Sequence, residues 1–244
     1  MAEPSGRLEE FREALRKYGH LIKVREFDPE LASGIEEKQL QIIEDASRII
    51  EEKKPRTLEE LLDALLESGS MQEYVVLISR VLGEKVSDPE EAVKAVIEGN
   101  EALPGFRSGF LALQAVARAY AEAVLKEGIA EEPSAKCPLC GVKSETMARK
   151  GSDYVMVCHF CYYEWIVSRD SMMCPYCGAM DPIAIGIYTD KKRRLGLAHC
   201  QNCGSTWRCI LDEGIRAPRQ LLPLIAFGAE IYRRFLEEAS GPRG

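Results

Sequence analysis

The 244-residue sequence lacks most of the features that identify a function quickly. No apolar run approaches the roughly 20 residues that span a bilayer, so no membrane span is expected. Residues 1 to 30 are charged throughout and hold no apolar stretch of the signal-peptide type. That predicts a cytoplasmic protein whose thiols stay reduced. There is no glycine-rich phosphate loop, no nucleophile elbow, and no Cys/His pairing outside one short stretch, so an enzyme is not expected. Basic charge is scarce too. With 32 Lys and Arg against 39 Asp and Glu the chain carries −7, which argues against a nucleic-acid surface.

Cysteine is present in quantity, but only between residues 137 and 209. Eight of the nine cysteines form four C-x2-C pairs: Cys137/Cys140, Cys158/Cys161, Cys174/Cys177 and Cys200/Cys203. Two intervening residues let both sulfurs of one tight turn reach the same ion, and two such turns close a tetrahedral site. The stretch is an internal repeat. Cys137-Pro138-Leu139-Cys140-Gly141 recurs as Cys174-Pro175-Tyr176-Cys177-Gly178, and Cys158-x2-Cys161-x3-Trp165 recurs as Cys200-x2-Cys203-x3-Trp207. A fixed motif order with a variable middle predicts two tandem metal ribbons, one using Cys137, Cys140, Cys158 and Cys161 and the other Cys174, Cys177, Cys200 and Cys203. Disulfides would need an oxidising compartment, so metal is the expected partner of these thiols.

Each unit is read as a small sheet. Tyr154–Val157 and Ile183–Tyr188 lie between the pairs, and Trp165–Val167 and Trp207–Ile210 follow them, all β-prone. Each Trp is expected to pack beside its site and keep water away. Cys209 is expected to be a small buried apolar residue. His159 and His199 flank the ligands but are not needed to complete four-coordinate sites.

The rest of the chain predicts helices around the ribbons. Leu8, Phe11, Leu15, Tyr18 and Ile22 form one stripe. Asp28-Pro29 caps a second helix carrying Leu31, Ile35, Ile42, Ala46 and Ile49. Thr57-x-x-Glu60 and Ser70-x-x-Glu73 read as capping boxes. Asp88-Pro89 starts a helix ending at Gly99, and Ser108 starts a longer one closed by Gly128. Pro218 and Pro223 precede a last amphipathic helix with Leu224, Phe227, Ile231 and Phe235. The expected fold class is therefore α+β: a helical domain over 1–130, a first four-cysteine metal ribbon over 131–172, a second over 173–212, and a C-terminal helix over 213–244 packing back on the body.

Charge follows these boundaries. Residues 1–136 carry 28 acidic against 18 basic side chains, residues 137–209 six against nine. Four thiolates on a divalent ion leave −2 per site, so two filled sites bring the ribbon segment to about −1. The one basic cluster, Lys191 to Arg194, reads as a solvated loop tip. Nucleic-acid binding is the weakest of the open readings.

The order of helices, Cys137-Pro138-x-Cys140-Gly141, Cys158-x2-Cys161-x2-Glu164-Trp165, Arg169, Cys174-x2-Cys177 and Cys200-x2-Cys203-Gly204 resembles the FdhE family, the formate dehydrogenase accessory proteins. The likeness is specific from Cys137 to about Arg208. The spacer from Trp165 to Cys174 and the tail Gly241-Pro242-Arg243-Gly244 depart from the family pattern. The resemblance implies a cytoplasmic maturation factor, or chaperone, that binds the catalytic subunit of formate dehydrogenase. It also implies rubredoxin-like sites, each of four cysteines. Zinc is the default ion and iron the alternative, since four thiolates suit both. An iron-bearing electron carrier is the second functional reading. Candidate partner contacts are His159, Phe160, Tyr162 and Tyr163, aromatic side chains on a rigid turn.

Overall fold

The structure, a computed structural model, describes residues 4–234 except 190 and 193. Phe235, Arg193 and the tail 241–244 lie outside the described residues. The chain divides into two compact units: Asp28–Gly128 with the N-terminal stretch to Arg12, and Ile129 onwards with Glu13–Phe27. The second half of the first helix, α1 (Pro4–Tyr18), therefore belongs with the ribbons, where the sequence pattern placed it in the helical domain. Tyr18 accounts for this, since its hydroxyl donates to the Gly214 carbonyl at 3.2 Å and accepts the Arg216 N–H at 3.1 Å.

The first unit is helical: α2 (Pro29–Lys53), α3 (Leu58–Glu67), α4 (Ser70–Leu82), α5 (Pro89–Glu98) and α6 (Phe106–Leu125). Alanine-rich α6 is its centre, buried on every side from Ala112 to Ala121. Gly109 permits this: a Cβ there would stand 2.5 Å from the Ala92 carbonyl oxygen of α5. Asp28 and Asp88 cap α2 and α5 through the two N–H groups that each carboxylate accepts. Thr57 caps α3, with Glu60 reaching back to the Arg56 N–H at 2.7 Å.

Two predicted starts differ. Gly69, at φ 78°, is the N-cap of α4, and the Ser70 hydroxyl bonds to that of Ser68 instead of the backbone. The helix α6 begins at Phe106, and the Ser108 N–H and hydroxyl both donate to the Glu84 carboxylate. A cap supplied from 24 residues away leaves no local sequence signal.

The second unit holds one six-stranded sheet: β1 (Thr146–Lys150), β2 (Asp153–Val157), β3 (Glu164–Arg169), β4 (Ile185–Thr189), β5 (Leu195–Cys200) and β6 (Thr206–Ile210), in the order β3-β2-β1-β6-β5-β4. Each ribbon contributes an antiparallel three-stranded half. The halves join by parallel pairing of β1 with β6, Thr146 to Ala148 against Arg208 to Ile210. The sequence pattern suggested two separate sheets. Joining them removes two exposed edges, which a pair of isolated three-stranded sheets would leave open.

After β6 a 3-10 turn, Arg219–Leu221, leads to the short helix α7 (Leu222–Ala226), which packs on β1 and β6, and then to a second 3-10 stretch, Phe227–Tyr232. Leu221, Leu222, Ile225, Ala226 and Ala229 are the buried face. The predicted stripe of Leu224, Phe227 and Ile231 instead turns outward: Leu224 is half-buried, while Phe227 and Ile231 are 37% and 59% exposed. The change from α to 3-10 winding alters the period, so a stripe read at 3.6 residues per turn selects the wrong side.

Candidate metal centres

Four knuckles build the sites, and all four fold alike. The first Cys of each donates its N–H to a carbonyl five residues on: Cys137 to Val142, Cys158 to Tyr163, Cys174 to Ala179 and Cys200 to Ser205, at 2.8–2.9 Å. Gly141, Gly178 and Gly204 follow the second Cys with φ of 73°, 75° and 73°. In the second knuckle that place is held by Tyr162, at φ 55°. A left-handed backbone is easy for glycine and costly for a bulky side chain. Within the knuckle turn backbone N–H groups face sulfur, as where the Phe160 N–H meets Cys158 Sγ at 3.4 Å.

The fold brings together the two predicted sets. Cys137, Cys140, Cys158 and Cys161 place their sulfurs within 4.8 Å of one another, as do Cys174, Cys177, Cys200 and Cys203. Sulfur pairs stand 3.6 Å apart in the first set and 3.7 Å in the second. A tetrahedral ion with sulfurs at ~2.3 Å requires S–S edges of about 3.8 Å, whereas a disulfide requires about 2.05 Å. The donor sets fit an ion and exclude disulfides in this arrangement.

The sites differ in access. In the first, Cys137, Cys158 and Cys161 are buried and Cys140 is half-buried. In the second, Cys174 and Cys200 are buried but Cys177 and Cys203 are exposed. Partial desolvation raises the Cys203 thiol, but hydrogen bonds from the Ser205 side chain and backbone, joined by those with the Cys177 and Cys174 sulfurs, outweigh it and leave its pKa at about 6. Cys209 is fully enclosed, and burial pushes its thiol up to about 12, as suits an unreactive packing residue.

Both tryptophans are buried in the ribbon sheet. Trp165 donates Nε1–H to the Ser134 carbonyl at 2.8 Å, and Trp207 lies 6.2 Å from the Tyr176 ring of the third knuckle. Tyr176 also ties the two ribbons, its hydroxyl donating to the Ser144 carbonyl at 3.1 Å while Lys143 Nζ sits 4.5 Å over its ring. Glu164 is buried and held by Lys150 Nζ at 2.7 and 2.8 Å.

Of the four candidate contacts, His159 is exposed, and Phe160 and Tyr162 are half-buried. Tyr163 is 3% exposed and its hydroxyl accepts the Ala130 N–H at 3.4 Å. It packs inside the ribbon and is no surface contact.

No protein-family model matches the chain, and no curated protein matches it. Among solved structures, the crystal structure of the FdhE protein from Pseudomonas aeruginosa is similar over 96% of this chain and 92% of that one, with a TM-score of 0.57 at 15% identity. At that identity the likeness speaks for architecture alone, and the architecture it supports, from helical region through paired four-cysteine ribbons to the last helix, is the FdhE-like fold.

Proposed function

We propose that this protein is an accessory factor that binds the catalytic subunit of formate dehydrogenase in the cytoplasm and supports its activation or assembly. The observation that carries the reading is the pairing of two four-cysteine centres with an FdhE-like fold across nearly the whole chain. Each set holds one ion, zinc by default. Four thiolates fill a tetrahedral shell, so the ion's work is to fix the knuckle loops. A rigid loop binds a partner at lower entropic cost than a mobile one. His159, Phe160 and Tyr162 on the second knuckle are the proposed contacts. The case for Tyr162 is strongest, because strain held at an aromatic residue is a feature of functional positions. Among the described residues no helix is long and apolar enough to cross a membrane, which suits a factor acting before its client is delivered elsewhere.

The test is complementation. In cells lacking their own accessory factor, the wild-type chain should restore formate dehydrogenase activity, and Cys140→Ser and Cys203→Ser should not. Failure of the wild type, expressed, folded and metallated, contradicts the proposal. One observation favours a second reading: Cys177 and Cys203 are exposed, as an electron-transfer centre would require. Purification without added metal, elemental analysis and a visible spectrum separate the two. A colourless two-zinc protein that still complements eliminates the iron electron carrier.

A further inference from the structure

The helical unit holds a cavity of about 430 Å³ bordered by α2, α4 and the first residue of α5. Gln72, Val76 and Arg80 succeed one another four residues apart on α4, with Glu73 and Leu77 beside them, so one stripe of that helix forms its floor. The polar groups that border it are short of partners. The Gln72 carboxamide oxygen is buried without a hydrogen bond. Tyr74 is only 5% exposed, and among the described residues its hydroxyl makes no hydrogen bond. The Glu73 carboxylate is exposed and, among the same residues, joins no ion pair. Asp45 of α2 meets Arg48 at 3.0 Å, but that guanidinium is 67% exposed and is not part of the lining, so the pairing is weak. Burial, with Asp45 and Glu73 close by, pushes the Tyr74 hydroxyl up to about 12, so both carboxylates act on this one spot.

The kind of these groups limits what can satisfy them. A carboxamide oxygen and two carboxylates only accept hydrogen bonds, and a tyrosine hydroxyl can accept as well as donate. A buried acceptor left unpaired destabilises the fold unless a ligand supplies a donor. The complement is therefore a group with several N–H donors and positive charge. Val76 and Leu77, both half-buried, add an apolar wall for methylene groups. Arg80 is exposed, joins no ion pair among the described residues, and stands about two turns beyond Glu73. It repels a second cation, so a single charge on an apolar stem fits better than a polycation. The surrounding charge agrees in sign, with 28 acidic against 18 basic side chains over residues 1–136.

We propose that this cavity is a docking site for a lysine or arginine side chain of a partner protein, whose cationic head donates to Asp45, Gln72 and Glu73 while its methylenes lie on Val76 and Leu77. The Tyr74 hydroxyl accepts a further N–H. The cavity's volume is that of an ordinary ligand site and leaves room for the partner's adjoining backbone. Nothing at this site depends on which client the metal ribbons serve.

The experiment titrates the full metal-loaded chain, isotope-labelled for NMR, with N-acetyl-arginine amide and N-acetyl-lysine amide. N-acetyl-norleucine amide, of similar shape without charge, is the control. At least one of the cations should shift the backbone resonances of Gln72 to Leu77 saturably, with a dissociation constant on the order of millimolar, and norleucine should not. Added salt should weaken the binding. Asp45→Asn/Glu73→Gln should weaken it about tenfold, and Tyr74→Phe, which removes only a hydroxyl, about threefold. A cooperative thermal transition like that of the wild type certifies that each variant is folded. No saturable shift with either cation, or an equal shift with norleucine, overturns the proposal. Binding of spermidine but of neither blocked amino acid overturns it in favour of a free polyamine. Cation binding that the folded Asp45→Asn/Glu73→Gln variant leaves intact overturns it as well.

Discussion

Tyr162 occupies a left-handed position that the other three knuckles give to glycine. The backbone cost is on the order of 1–2 kcal/mol. Tyr162→Gly is expected to stabilise the metal-loaded protein by about 1 kcal/mol in urea unfolding while weakening client binding. Lower stability would show that contacts of the ring outweigh the strain. In the helical unit the corresponding residue is Arg118, 4% exposed, whose Nη1 lies 2.9 Å from both oxygens of buried Glu36. Arg118 also donates Nε–H to Glu122 at 3.1 Å, and nearby Gln39 donates to Gln114 at 3.0 Å. Removing Glu36 takes from Arg118 its fully buried partner and leaves only the more exposed Glu122, so Glu36→Ala should cost about 3 kcal/mol. A loss below ~1 kcal/mol would contradict the pairing. Neither feature was legible in the sequence. The αL backbone at Tyr162 emerges only on aligning four folded knuckles, and Glu36 looks like any solvated helix carboxylate until α6 is laid against α2.

At the scale of elements, the two centres share chemistry but differ in access, and that difference is testable. A chelator should remove the ion of Cys174, Cys177, Cys200 and Cys203 first, with one equivalent released before the second. Iodoacetamide should then label Cys177 and Cys203, read by mass spectrometry, while Cys137, Cys158 and Cys161 stay protected. Simultaneous release, or loss of the first site's ion first, would contradict the exposure argument. The two four-cysteine groups were readable from C-x2-C spacing and duplication, because knuckle geometry is local. Strands β2, β3, β4 and β6 were readable from their β-branched and aromatic runs, β4 with its start two residues early. Strand β1, Thr-Met-Ala-Arg-Lys, and β5 were not. In β5 Gly196 is needed because a Cβ would stand 2.9 Å from Ile187 Cγ2, and a glycine within a strand weakens the very pattern that reveals it.

For the whole molecule, the α+β class and the order of helices, ribbons and last helix follow from sequence, while the joined sheet and the membership of α1's second half do not. The joined sheet depends on long-range backbone pairing, such as Arg208 N–H to Glu145, and the place of α1 on the Tyr18 hydroxyl's bonds to Gly214 and Arg216; neither carries a local signature. A shared sheet has a mechanical consequence. Cys140→Ser should remove the first ion yet also loosen the second ribbon, because β6 of the second ribbon pairs with β1 of the first. Hydrogen exchange at β5 and β6 checks this, and unchanged protection there would mean that the ribbons fold independently. The most direct measurement of the account is an affinity purification of the tagged, fully metallated chain from a native extract, with metal analysis and protein identification on the same eluate. The catalytic subunit of formate dehydrogenase should co-purify with the wild type and be lost with His159→Ala/Phe160→Ala/Tyr162→Ala at undiminished metal content. A metallated wild type that never retains that subunit, in an extract shown to contain it, would contradict the account.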